Sequence, residues 1–156
     1  MTSTDDLVRQ IHDRDAITAV IHRRARATDT RDLELSLSCY HPGATEDHEG
    51  FDGPVDDYLR TASPAFAPDS PVEVCSHLIG NVEIDLDDDR AHSQSYFICC
   101  LTNRDDGAGG GRTDYINAGR YIDDWERRDG VWAMTRRVCA YDWSRSDPAT
   151  QRWFER

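Results

Sequence analysis

Apolar positions fall into two regimes along the chain. Leu7, Ile11, Ile17, Val20, Ile21 and Ala25 recur three, four or six apart, which predicts an amphipathic helix reaching about Thr28 with Thr4-Asp5 as its cap. "DTRD" interrupts that pattern, and "LELSLSCY" predicts a second, short helix that stops before Pro42. "ATEDHEGF" fits a short strand, and "GPVDDYLRTA" predicts a third helix with Pro54 at its first position. "SPAFAPDSP" is a proline-bounded loop. From Val72 onward the pattern turns to strands. "VEVCSHLIGNVEIDL" reads as a strand pair or one long bent strand closed by "DDD", and "AHSQSYFICCLTN" follows it. After a flexible "RDDGAGGG" loop, "RTDYINAGRYIDDWERR" and "VWAMTRRVCAYDW" flank Asp129-Gly130, a strong hairpin signal.

Helices first and a meander afterwards predict an α+β fold, with N-terminal helices packed on an antiparallel sheet. Bent strongly enough, such a sheet makes a cone with a pocket under the helices. Gly80 and Gly119 sit mid-strand where bulges are expected. The 156 residues suit one domain, which at this length buries roughly two-thirds of its surface.

Charge narrows the function. A net charge of −12 repels phosphate backbones and anionic lipid, so neither nucleic acid nor membrane is an expected partner. All 18 basic residues are arginine, which excludes Schiff-base chemistry on a lysine. The five cysteines show no CxxC spacing, and the vicinal Cys99-Cys100 pair points to opposite faces of a strand. Neither a zinc knuckle nor a disulfide frame is suggested. No signal segment and no apolar run of membrane length is present, so a cytoplasmic location is expected.

Two residues stand out chemically. His77 lies among core-like positions of its strand. In a regular strand it faces away from Val82, Ile84 and Leu86; a bulge at Gly80-Asn81 puts it on their side, and alternation does not choose. Asp29, four residues after Ala25 and eight after Ile21, continues the helix's apolar stripe. Either Asp29 or Thr30 caps the next helix, or the Asp29 carboxylate reaches inward. A carboxylate meeting a histidine fixes its tautomer, raises its basicity and leaves the far nitrogen to move protons.

"RARATDTRDLELSLSCYHPGATEDHEGF", "SHLIGNVEID" and "GRYIDDWERRDGVWAMTRRVCAYDW" together resemble the SnoaL-like branch of the NTF2-like superfamily. That branch includes bile-acid dehydratases, with scytalone dehydratase a more distant relative. The resemblance spans about residues 8–143 and leaves 144–156 as a tail. It implies the NTF2-like cone, with Asp29 as the pocket aspartate and His77 as the general base. His48 falls where scytalone dehydratase has a carbonyl-polarising tyrosine, and Arg136 or Arg137 matches the arginine of the last strand. Three departures stand against copying either mechanism. Arg24 replaces the tyrosine of bile-acid dehydratases, Thr28 replaces that of scytalone dehydratase, and no second histidine occurs near Cys100 or Leu101. The cone hosts dehydratases, isomerases, cyclases, epoxide hydrolases and inert subunits, so resemblance alone names no reaction.

The expectation is a cofactor-independent dehydratase- or isomerase-type enzyme acting on a small apolar carbonyl compound of polyketide, terpenoid or steroid type. Asp29 and His77 are its catalytic pair, with His48, Arg24, Arg136 and Arg137 as substrate-binding candidates. A non-catalytic carrier or assembly subunit is the rival, and epoxide opening by a water on Asp29 a second enzyme reading. No metal is expected: strand alternation splits Glu46, Asp47 and His48. His41 reads as structural, His12 and His22 as solvated, and His92 offers little. Tyr96, Tyr115, Tyr121 and Tyr141 read as strand aromatics. Trp125, Trp132 and Trp143 read as packing the sheet or an interface. The "GAGGG" run reads as a turn rather than a phosphate loop. Pairing through the sheet into a homodimer or homotrimer is expected from the resemblance.

Overall fold

A computed structural model describes residues 3–105 and 111–149; residues 106–110, the core of the expected flexible loop, and 150–156 lie outside that description. Helix α1 spans Thr4–Asp29. Its cap is Ser3, one residue before the expected Thr4-Asp5, because Ser3 and Asp6 form a reciprocal capping box. Ile17, Val20, Ile21 and Ala25 are buried, whereas Leu7 and Ile11 are exposed. Helix α2, Leu33–Leu37, is capped by Asp32, whose side chain accepts from the Leu35 amide at 2.9 Å. That assignment leaves Asp29 free for another role.

Strand β1 starts at Tyr40, earlier than expected, and runs to His48; it turns back through Glu49 and Gly50 into β2, Phe51–Pro54. Both turn residues have positive φ, which glycine tolerates at the second. Pro54 is the residue before the third helix rather than its first. That helix, α3, is one turn over Val55–Asp57, widened into a π-turn over Tyr58–Ala62. The meander follows as β3 (Val72–Asp87), β4 (Arg90–Asn103), β5 (Thr113–Arg128) and β6 (Val131–Pro148). β3 is therefore one long strand, and β6 runs into the expected tail, with Pro148 paired to Thr113.

The six strands are ordered β2-β1-β6-β5-β4-β3. The sheet is mixed rather than purely antiparallel, because the returning β6 lies parallel to β1. Gly119 is required where β5 passes a bulge in β6: any β-carbon there collides with the Ala140 carbonyl. α1 crosses β3 and β6, and its apolar stripe packs with Leu59, Trp125, Trp132 and Met134. On the opposite sheet face Leu78, Ile98, Ala118 and Trp143 form one cross-strand row, in which Ala118 is buried and the other three are exposed among the described residues, Trp143 by 52%. No helix among the described residues is long and apolar enough to cross a membrane.

Candidate functional site

Two bulges decide which side chains the sheet presents to the helices. Between Gly80 and Glu83, β3 has one residue more than β4, with Asn81 in a left-handed conformation (φ +46°). Cys75, His77 and Ile79 therefore share the inner face with Val82, Ile84 and Leu86, a switch of phase that a regular strand forbids. In β6 the pairing passes from Arg136 to Met134 and skips Thr135. That bulge turns Arg137 inward, 2% exposed, beside buried Met134 and Trp132. Arg136 is turned to the other face among Thr45, Asp47 and Asp52, so it does not line the cavity expected for it.

Asp29, the last residue of α1, holds His77 at two points. Its Oδ2 accepts the His77 backbone amide at 3.0 Å and its Oδ1 lies 2.6 Å from Nδ1. The His77 side chain is only 8% exposed. Burial works against its charge, but the bonds to Asp29 and Cys75 outweigh burial and raise its pKa to about 8. Burial likewise opposes ionisation of Asp29, and its hydrogen bonds from His77 reverse that and lower its pKa. His77 lines the central cavity and Asp29 does not; the carboxylate stands behind the ring, near His22, Arg26 and Ile79. The nitrogen left for a molecule in the cavity is Nε2.

The cavity holds about 460 Å³ between the sheet, α1 and the α3 turn. Its lining is more polar than an apolar substrate alone demands. Phe97, stacked on Tyr121 at 4.4 Å, forms an aromatic floor beside His77. Facing it is a buried relay centred on Glu46, which is fully buried. Glu46 accepts from Tyr40 Oη at 2.7 Å, lies 3.7 Å from Arg24 and contacts His48 Nδ1 at 3.2 Å. Burial alone raises a carboxyl's pKa; here Arg24 and His48 prevail and hold Glu46 at about 2.

His48 stacks on Tyr58 at 4.7 Å, and its Nε2 meets Tyr141 Oη at 3.0 Å. His48 lines the cavity, with Nδ1 held by Glu46 and Nε2 by Tyr141. Arg24 is similarly engaged, donating Nε to Tyr40 at 3.0 Å and Nη1 to the Thr28 hydroxyl.

Arg137 differs. Its Nε and Nη2 donate to Asp123 at 2.8 Å each, and its guanidinium lies 4.2 Å over the Tyr121 ring. Burial disfavours the charge, and the Asp123 carboxylate more than restores it. Its Nη1 has no hydrogen-bond partner among the described residues. Glu46, Tyr58, Asp123 and Tyr141 were missed by sequence reasoning; the two-residue spacings Glu46–His48 and Tyr121–Asp123–Trp125 were the available signal. His41 is buried on the Glu126 carbonyl at 2.9 Å, and His92 is exposed beside Asp124.

A model of the family described as a SnoaL-like domain matches residues 9–138. No curated protein matches the sequence. Among solved structures, the Kfla4162 protein of Kribbella flavida is 19% identical with a TM-score of 0.75, over 87% of this chain and 95% of that one. Hexachlorocyclohexane dehydrochlorinase LinA-type3 of Novosphingobium barchaimii is 18% identical with a TM-score of 0.74, over 94% and 97%. A provisionally named scytalone dehydratase of Novosphingobium aromaticivorans is 19% identical with a TM-score of 0.74, over 96% and 94%. At these identities the likeness is one of fold.

Proposed function

The chain belongs to the SnoaL-like domain family of the NTF2-like superfamily, and on that premise we propose that its cavity performs proton-transfer elimination or isomerisation on a small carbonyl compound. The observation behind this reading is the His77–Asp29 contact of 2.6 Å on a ring that lines the cavity. Asp29 fixes the proton on Nδ1, so Nε2 removes a proton beside the substrate carbonyl and later returns one to the departing hydroxyl or the relocated double bond. The developing oxyanion is met by Arg137 Nη1, a charged donor held in place by Asp123, worth on the order of 3 kcal/mol. Asp123 positions that guanidinium from behind, as Asp29 positions the imidazole.

The volume of about 460 Å³ suits a multi-ring polyketide, terpenoid or steroid skeleton. Loss of a leaving group from the carbon next to a deprotonated one is common to a dehydratase and a dehydrochlorinase, the names attached to two of the similar folds. Water activation by Asp29 for epoxide opening is less favoured, because both its oxygens are engaged by His77. No metal or organic cofactor takes part in the proposed step. The exposed Leu78, Ile98 and Trp143 of the outer-face row support the further reading that copies of the chain associate through the sheet, as a homodimer or homotrimer.

The test is incubation with a panel of β-hydroxy ketones and enones in deuterated water, reading exchange and loss of water by NMR and mass spectrometry. Turnover is expected in the wild type, with a loss of a hundredfold or more in His77→Ala. A ligand that binds but undergoes no chemistry in any form of the protein makes the chain a carrier.

A further inference from the structure

Strand pairing places His77 opposite Cys99 and Cys75 opposite Leu101, so the two cysteines lie diagonally across β3 and β4 on the cavity side. Their sulfurs are 3.9 Å apart, and Cys75 Sγ is 3.8 Å from His77 Nδ1. These three donor atoms all lie within 4.8 Å of one another. A tetrahedral zinc ion with bonds of about 2.3 Å to sulfur and about 2.0 Å to nitrogen needs donor separations of about 3.8 Å and about 3.5 Å. The two edges from Cys75 Sγ are within a few tenths of an ångström of those values. Two buried thiols alone are ordinarily apolar packing. Here an imidazole nitrogen completes the triangle; that nitrogen is hydrogen-bonded to Asp29 at 2.6 Å, a bond that an ion on Nδ1 would replace.

We propose that Cys75, Cys99 and His77 form a three-donor site for a thiophilic divalent ion of the zinc class in the cavity wall, with solvent completing its coordination, and that its occupancy switches off His77. Binding releases the two thiol protons to solvent, while the proton of the neutral ring leaves Nδ1 and is replaced by one on Nε2, so the ring has no net loss. Coordination through Nδ1 leaves the ring's single proton on Nε2. The nitrogen facing the cavity then becomes a donor and has no lone pair with which to accept a substrate proton. No CxxC spacing foreshadows this site, because its ligands converge from two strands. The inhibition rests on the base role proposed for His77; the ion site itself does not.

The experiment is titration of chelator-treated, reduced protein with Co²⁺, followed by displacement with Zn²⁺. One ion per chain is expected, with thiolate-to-cobalt charge-transfer absorption that zinc abolishes. Cys75→Ser and Cys99→Ser, checked for folding by circular dichroism and backed by Cys99→Ala, are expected to weaken binding at least about a hundredfold. Cys100→Ser, on the outer face, is expected to leave it unchanged. Absence of the band, or a band that survives both inner-face cysteine substitutions, overturns the site. Turnover is expected to fall in proportion to occupancy in the wild type and to resist zinc in Cys99→Ser. Full turnover by ion-loaded wild type overturns the switch while the site stands. Failure of the base proposal appears separately, as metal-free protein that binds ligand and never turns it over.

Discussion

Replacing Asp29 by asparagine, in metal-free buffer with a chelator, probes the link between the helix end and the imidazole. The folded protein raises the His77 pKa from 6.5 to about 8. At about 1.4 kcal/mol per unit, that preference for the charged form amounts to about 2 kcal/mol. Because the shift is upward, the stabilisation is complete below pH 6.5 and is lost as pH rises through about 8. The asparagine amide carries no negative charge, so in Asp29→Asn only Cys75 is left to oppose burial and the His77 pKa falls from its wild-type value. The stability gap between wild type and Asp29→Asn should therefore shrink by about 2 kcal/mol between about pH 6 and about pH 9. Cysteines that ionise in the unfolded chain above about pH 8.5 affect both proteins alike and cancel in the difference. Urea unfolding followed through buried Trp125 and Trp132 measures the gap, and NMR titration of the His77 ring measures the cause. A gap that stays constant with pH, or a wild-type ring that titrates at or below 6.5, refutes the reasoning. The kinetic counterpart is a rate that climbs with pH around 8 in the wild type, since only neutral His77 accepts a proton.

Three further outcomes follow from the packing. Arg137→Met strands Asp123 as a buried, unpaired carboxylate and should cost about 3–5 kcal/mol in denaturant unfolding. Arg136→Ala, on the other face, should cost less than about 1 kcal/mol; equal costs for the two arginines would contradict the bulge at Thr135. Gly119→Ala forces a methyl against the Ala140 carbonyl and brings it 2.9 Å from Tyr141 Cα, so the unfolding midpoint should fall by the equivalent of about 2 kcal/mol or more; an unchanged midpoint argues against the close β5–β6 approach. Trp143→Glu puts a charge at the β6 end of the outer-face apolar row and should convert an associated wild type to single chains in light scattering. A wild type that already scatters as one chain removes the sheet-face interface from consideration.

How far the sequence could be read depended on whether the deciding contacts were local. The long helix, the meander and the Asp129-Gly130 hairpin were legible because period and turn chemistry are encoded within each segment. The parallel placement of β6 beside β1 was not, since it joins segments about ninety residues apart with no local mark. Face assignment failed for a different reason. One unpaired residue inverts every side chain beyond it, so Thr135 alone determines that Arg137 rather than Arg136 enters the cavity. Asp29 could be placed on the inner stripe from its distance to Ala25, but only the Asp32 cap resolved its role.

The inward charges make the same point from the side of energetics. Asp13 bonds Arg127 at 2.8 Å and Trp132 at 2.9 Å, Arg24 faces Glu46, and Arg137 grips Asp123. In each case the partners come from different elements, so each element taken alone shows only a flawed amphipathic pattern. A lone buried charge is too costly to persist without a partner. Every such flaw on an otherwise apolar face therefore implies an opposite flaw on another element facing it. Two of these three pairs, Arg24–Glu46 and Arg137–Asp123, sit against the cavity, so here the breaks in hydrophobic pattern locate the site better than the pattern itself does.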